Sequence, residues 1–161
     1  MKTTLLMTTI NEVVGMKAIM PNVDDNLFDQ IIVSDYQSTD GTIEWAKQQG
    51  YLVVNQQKPG LRNAFIEALP YVEGDIVVTF SPDGNSVAER LPDLIDKMNQ
   101  GYDMVIVSRY LDDAKSDDDD FLTGIGNWCF TRMINLLFRG KYTDAMVMYR
   151  GIKKNVFYDL E

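Results

Sequence analysis

An acid and an amide stand two positions apart in Ser81-Pro82-Asp83-Gly84-Asn85, directly after the apolar run Ile76-Val77-Val78-Thr79-Phe80. A buried strand that ends in such a turn holds up one carboxylate and one amide oxygen. That donor pair suits a hard divalent cation, Mg²⁺ or Mn²⁺, which takes oxygen ligands and keeps places for water or phosphate oxygens. Pro, Asp, Gly and Asn are also the usual turn formers, so the same residues can serve as a plain turn. Comparable groups close other apolar runs: Thr8, Thr9, Asn11 and Glu12; then Asp35, Ser38 and Asp40; then Lys58, Gly60 and Arg62; then Ser108, Arg109 and Tyr110. Asp35 sits at the very end of its run, where a carboxylate can accept from the N–H of a nucleobase. Acids and bases gathered at strand ends fit an anionic ligand held partly by a metal.

Composition narrows the chemistry. The 161 residues contain no histidine and one cysteine, Cys129. Ser-His-Asp and Cys-His nucleophiles and histidine zinc sites are therefore excluded, as is an internal disulfide. The net charge of −9 argues against nucleic acid, where a basic face supplies most of the affinity. It also argues against general attraction to anionic lipid. No apolar run approaches the ~18 residues of a membrane span. The N-terminal "MKTTLLMTTINE" reads as a first strand and not as a signal peptide. These features point to a cytoplasmic protein.

The elements that must position these groups alternate. Strands are expected over 3–10, 30–35, 51–55, 75–80, 103–110 and 145–150. Between them lie helices: "NEVVGMKAIM" ended by Pro21, "TIEWAKQQG" ended by Gly50, "GLRNAFIEALPYV", and "SVAERLPDLIDKMNQG" with Pro92 near its start. In the third of these, Leu61, Phe65, Ala68 and Leu69 fall on one face. Ser38 or Thr39 can cap the helix that begins near Gly41, with Asp40 at its positive end. "LDDAKSDDDDF" reads as a solvated loop. "TGIGNWCFTRMINLLF" reads as a long helix whose apolar face packs in the core, with Cys129 a small buried hydrophobe. A membrane or lipid role for it stays open, because it is apolar on more than one face. A last helix starts within "GIKKNVFYDLE". Continuous apolar strands alternating with helices imply an α/β fold, a mostly parallel sheet covered on both faces. Ligands of such sheets bind outside the carboxyl ends of the strands.

"TTINE", "IIVSDYQSTDGT", "KPGLRNA", "GDIVVTFSPDGN" and "YDMVIVSRY" occur in the order and spacing of family 2 glycosyltransferases. "YTDAMVMYRGIKK" is similar to their later segment. The nearest resemblance is to dolichyl-phosphate mannose synthase-like enzymes and bacterial polyprenyl-phosphate sugar transferases. The resemblance implies the Rossmann-like GT-A fold as one domain over 1–161, stopping short of where relatives continue. It implies an inverting hexosyltransferase that uses a nucleoside-diphosphate sugar, a divalent metal and an acceptor such as a polyprenyl phosphate. The protein would then be cytoplasmic and peripheral at the inner membrane face. By position, Thr8, Thr9 and Glu12 would line the nucleotide pocket, Asp35 would read the base, and Lys58 with Gly60 would sit beside it. Asp83 and Asn85 would hold Mg²⁺ or Mn²⁺ on the diphosphate, and Arg109 would contact phosphate. Asp144 is a candidate base for a hydroxyl acceptor, or a turn acid before a strand. Two positions depart from the family pattern: Ser81 replaces the first acid of Asp-x-Asp, and Tyr36 replaces the second acid of Asp-Asp.

Two other readings stand beside this one. A non-catalytic nucleotide-sugar-binding module would keep the pocket and lose transfer. A sugar nucleotidyltransferase would carry a Gly-rich basic segment after the first strand, where "NEVVGMK" stands instead. No dinucleotide or P-loop signature appears. A bare sheet edge or apolar surface could pair two copies in a homodimer.

Overall fold

Four short apolar runs form the parallel heart of the sheet. They are β1 (Thr3–Thr9), β2 (Gln30–Asp35), β3 (Leu52–Asn55) and β4 (Ile76–Phe80). β5 (Met104–Ile106) and β6 (Arg150–Lys153) complete it in the order β3-β2-β1-β4-β6-β5. The computed structural model describes residues 1–84, 86–110 and 121–158. Asn85 and the acidic run expected as a loop lie outside the described residues.

β1 pairs with β2 on one side, Thr9 opposite Asp35, and with β4 on the other, Met7 opposite Phe80. The chain winds outward from β1 in both directions, so the crevice between β1 and β4 is a topological switch point, where open α/β sheets bind ligands. β6 runs antiparallel between β4 and β5, which makes the sheet mixed.

Alternate strand residues feed two cores, as the two-residue period of a strand requires. Leu5, Met7, Val33, Ile76, Val78 and Phe80 pack toward Met16 of α1 (Val13–Ile19), Ala46 of α2 (Thr42–Gln48) and Leu91, Leu94 and Met98 of α4 (Leu91–Asn99). Leu6, Ile32, Val54, Val77 and Ile152 pack toward Ala68 of α3 (Leu61–Ala68) and Phe157 of α6 (Lys154–Tyr158). Leu61, expected on the buried face of α3, is exposed, and Ala64 takes its place. Phe65 stacks edge-on against Phe157 with centroids 5.7 Å apart.

Three expectations about the C-terminal part are corrected. Residues 145–149 are not a strand. Asp144 captures the N–H groups of Met146 and Val147, each at 3.2 Å. A side chain that takes nearby N–H groups competes with ladder pairing, so β6 begins only at Arg150. Residues 151–153 belong to that strand, and α6 starts at Lys154.

The second correction concerns α5 (Phe121–Phe138), which is inside out. Among its described side chains, the buried ones are Asn127 and Thr131. Asn127 donates to Asp144 Oδ1 at 2.9 Å, and Thr131 Oγ1 accepts from Ala145 N at 3.1 Å. Many of its described large apolar residues face outward: Trp128 is 60% exposed and Leu136 82%. Among the described side chains the buried ones are polar, so core packing through an apolar face is not found there, and the helix meets the protein through a polar anchor. Cys129 is likewise exposed and not a buried hydrophobe. Among the described residues, no helix is long and apolar enough to cross a membrane.

The third correction is the length of β5. Pairing continues through Val107 N to Tyr149 O at 3.0 Å, and Arg109 then turns aside to Asp144.

Candidate functional site

The loops after β1 and β2 are laced together by short polar side chains. Asn11, in the left-handed region at φ 57°, accepts from Thr39 N at 2.8 Å, and its own N–H donates to Ser38 Oγ at 2.7 Å. Glu12 N donates to Thr42 Oγ1 at 2.9 Å, and Val13 N to Asp40 Oδ2 at 3.0 Å. Asp40 also takes Thr42 N and Oγ1 at 3.0 and 2.6 Å. Desolvation pushes its pKa up, but these bonds outweigh it and hold the carboxyl below its ordinary value. Asp40 thus serves the start of α2 as expected. Ser38 does not cap that helix, since its hydroxyl is given to Asp35.

Asp35 is 1% exposed. Its Oδ2 accepts from Thr9 Oγ1 at 2.7 Å and Ser38 Oγ at 2.6 Å, and its Oδ1 from Ser38 N at 2.9 Å. The carboxylate is a knot between two loops, with its oxygens committed inside the protein.

A cleft of ≈ 250 Å³ opens beside this knot. Thr8, Thr9 and Glu12 line it from the end of β1, Gln56 and Gly60 from the loop after β3, and Leu61 and Ala64 from α3. Gly60 enters α3 at φ 101°, a backbone state that side-chain-bearing residues rarely adopt. Lys58 does not line this cleft. It borders a depression on the outer side of the loop, and its N–H donates to Glu67 at 3.1 Å. Gln56 is a lining residue that its neighbours in "NQQK" mask in the sequence. The available signal was a polar side chain one position beyond a strand end.

The turn that carries Asp83 is pressed against the start of α1. A Cβ on Gly15 would stand 2.2 Å from the Pro82 carbonyl oxygen and 3.3 Å from Glu12 Oε2. Burial raises the pKa of Glu12, and the negative charges of Asp83 and Asp40 raise it further. Glu12 and Asp83 therefore share one electronegative corner at the β1–β4 crevice. Among the described residues no three acidic, histidine or cysteine groups converge as a complete metal cage. A cation there would draw one or two oxygens from protein and the rest from ligand and water.

Arg109 lies apart from the cleft lining. Its Nε donates to Asp144 Oδ2 at 2.8 Å and its Nη2 to Oδ1 at 3.3 Å, and its guanidinium stands 5.4 Å from the Tyr110 ring centre. Asp144 is fully buried, and burial favours its neutral form. The bonds from Arg109 and Asn127 outweigh that and hold its pKa below the usual carboxylate value. Its role as a turn acid holds; as a proton acceptor it is fully occupied. A second cavity of ≈ 280 Å³ begins past Leu61, lined by Phe65, Met146, Met148 and Phe157 with the half-buried Arg150. The structure thus brings together Thr8, Thr9, Glu12 and Gly60, sets Asp83 beside Glu12, and leaves Lys58 and Arg109 outside the cleft.

Among known proteins, the chain is 28% identical over 157 residues to Glycosyltransferase AglJ of Haloferax volcanii, covering 97% of this chain and 52% of that protein. It is 27% identical over 160 residues to Dolichyl-phosphate hexose transferase of the same organism, covering 98% and 68%. A solved structure of glucosyl-3-phosphoglycerate synthase from Mycobacterium tuberculosis, in complex with Mn²⁺, UDP and phosphoglyceric acid, superposes with a TM-score of 0.74. That match has 20% identity and covers 96% of this chain and 56% of that one. The fold is thus the α/β GT-A architecture, and the chain spans about half the length of the first of these relatives. The profile of Glycosyl transferase family 2 matches residues 4–161, and the chain belongs to that family.

Proposed function

We propose that this chain is the donor-binding part of an inverting glycosyltransferase. It would move a sugar from a nucleoside diphosphate to an acceptor, with a lipid phosphate at the membrane surface as the favoured acceptor. The observation that carries this reading is the cleft at the carboxyl end of β1, with Glu12 in its lining and Asp83 in the turn that faces Glu12.

Thr8, Thr9, Glu12 and Gly60 would surround the nucleoside, with Asp35 holding the loops in place behind them. Asp83 would take Mn²⁺ or Mg²⁺, joined by Asn85 from outside the described residues. The donor set fits such an ion: two neighbouring acids repel each other here, and a hard dication relieves that repulsion. When bound, the ion would neutralise charge on the departing diphosphate. Arg109, anchored by Asp144, would add positive charge from the far side of the crevice. The acceptor oxygen forms the new bond to the anomeric carbon as the diphosphate oxygen leaves with the old bonding pair. A phosphate acceptor is already ionised and needs no base, which agrees with Asp144 having no capacity to spare.

The lipid acceptor draws support from α5. Ile125, Trp128, Met133, Leu136 and Leu137 are exposed, and Arg132 stacks 5.1 Å from the Trp128 ring centre. An apolar helix face flanked by cations suits the interfacial zone of a bilayer. The relative named Dolichyl-phosphate hexose transferase accords with that choice.

Calorimetric titration of UDP and GDP, with and without Mn²⁺, on wild type and Asp83→Ala tests the reading. Manganese-dependent binding in wild type, weakened at least tenfold in the variant, is expected. Binding that ignores both metal and mutation would reduce Ser81–Asn85 to a turn. Ser81, in place of the family's first acid, favours one competing reading, a nucleotide-sugar-binding module without transfer. Labelled sugar passing to an added polyprenyl phosphate separates the two.

A further inference from the structure

One polar atom in the cleft is left unused by the fold. Gln56 is 5% exposed, and its Nε2 donates to the carbonyl oxygens of Lys58 and, at 2.9 Å, Gly60. Two carbonyls can only accept, so the amide orientation is fixed and both of its hydrogens are committed. Among the described residues no donor reaches Oε1, and none of their fully buried side-chain polar atoms lacks a partner. Oε1 therefore keeps some exposure, and Gln56 is one of the residues that line the cleft. The strand-end acid that would compete for the same task, Asp35, has its oxygens bound by Thr9 and Ser38.

We infer that Gln56 selects the nucleobase by accepting a ring N–H at Oε1, so that the cleft takes a uracil- or guanine-type base and rejects cytosine and adenine. Uracil N3 and guanine N1 carry a hydrogen. Cytosine N3 and adenine N1 carry a lone pair, which would face the glutamine oxygen acceptor to acceptor. A site built around a buried hydrogen-bonding group discriminates strongly against a partner that leaves it unpaired. The inference rests on the donor-site reading above and adds to it the class of base.

Titration of UDP, CDP, GDP and ADP in the presence of Mn²⁺ tests it, on wild type, Gln56→Met and Gln56→Glu. Wild type is expected to prefer UDP over CDP, or GDP over ADP, by about tenfold or more. Gln56→Met removes the acceptor and should bring the preferred pair within about threefold. Gln56→Glu keeps an acceptor but loses the donors to Lys58 and Gly60. It should bind every diphosphate more weakly and retain the preference. That contrast separates base reading from support of the loop. A preference unchanged in Gln56→Met, or absent in wild type, overturns the role of Gln56 and leaves the donor site standing. Failure of wild type to bind any of the four overturns the donor-site reading and this inference with it.

Discussion

Replacing Asp144 should cost more stability than any other single change near the crevice. Its carboxylate is fully buried and is the common partner of three segments. Oδ2 takes Arg109 Nε at 2.8 Å and Arg109 N at 3.3 Å. Oδ1 takes Arg109 Nη2 at 3.3 Å, Asn127 Nδ2 at 2.9 Å, and the N–H groups of Met146 and Val147 at 3.2 Å each. Asp144→Ala would strip all of these donors at once. Breaking a buried ion pair from one side costs about 3–5 kcal/mol. The Arg109 side chain is 26% exposed and would recover part of its hydration, so the lower end, about 3 kcal/mol, is the expectation. With a urea slope of about 2 kcal/mol per molar, the unfolding midpoint should fall by about 1.5 M.

The acid limb gives an independent check. The folded pKa of Asp144 lies below its ordinary 3.8, because the Arg109 and Asn127 bonds overcome the effect of burial. The unfolded chain therefore binds the proton first as pH falls. The stabilisation is whole above the unfolded value and disappears as pH drops through the folded one. The gap between wild type and Asp144→Ala should stay flat from pH 7 to about pH 5 and narrow below about pH 4. A midpoint shift worth less than about 1 kcal/mol, or a gap that widens in acid, would show that the bonds at Asp144 are not what ties β5, α5 and β6 together.

Two other perturbations probe the turn and the helix. Gly15→Ala improves helix propensity by about 1 kcal/mol, but its methyl carbon would stand 2.2 Å from the Pro82 oxygen. The turn bearing Asp83 must move, so urea unfolding should show a net loss of about 1 kcal/mol and titration a marked loss of manganese-dependent nucleotide binding. Wild-type affinity in this variant would mean that the turn's position does not matter to the site. Leu136→Ser with Leu137→Ser removes the two exposed leucines near the end of α5. Co-sedimentation with vesicles containing anionic phospholipid should fall by about tenfold, with nucleotide affinity unchanged; a wild-type chain that stays in the supernatant refutes the interfacial role.

The parallel half of the fold was legible because its determinants are local. Val77 and Val78 are buried on opposite faces of β4, and a strand buried on both sides has to read as an unbroken apolar run. The turn residues between strands carry their own conformational signals. What could not be read was decided by which side chains take which N–H groups, a choice that composition does not announce. The run Ala145–Arg150 has strand composition, yet Asp144 draws its first N–H groups away from any ladder. α5 has core composition, yet the surface it meets offers Asp144 and the Ala145 N–H, so Asn127 and Thr131 turn inward and the hydrophobes turn out.

The site divides in the same way. Thr8, Thr9, Glu12 and Gly60 are placed by strand ends and by a glycine conformation, both local, and they converge in the structure as their positions imply. If Gln56 reads the base as proposed, it and Asp35 exchange the roles their residue types suggest. An acid at a strand end is the obvious reader of a base, but Thr9 and Ser38 lie within reach and donate to it, and a buried polar group gains from such partners. The amide beyond the next strand spends its hydrogens on two carbonyls, and no donor among the described residues takes its oxygen. Which polar group faces a ligand is thus settled by how the fold satisfies its neighbours. In this chain the loops after β1 and β2 donate to both oxygens of Asp35, and the proposed reader of the base is a neutral amide.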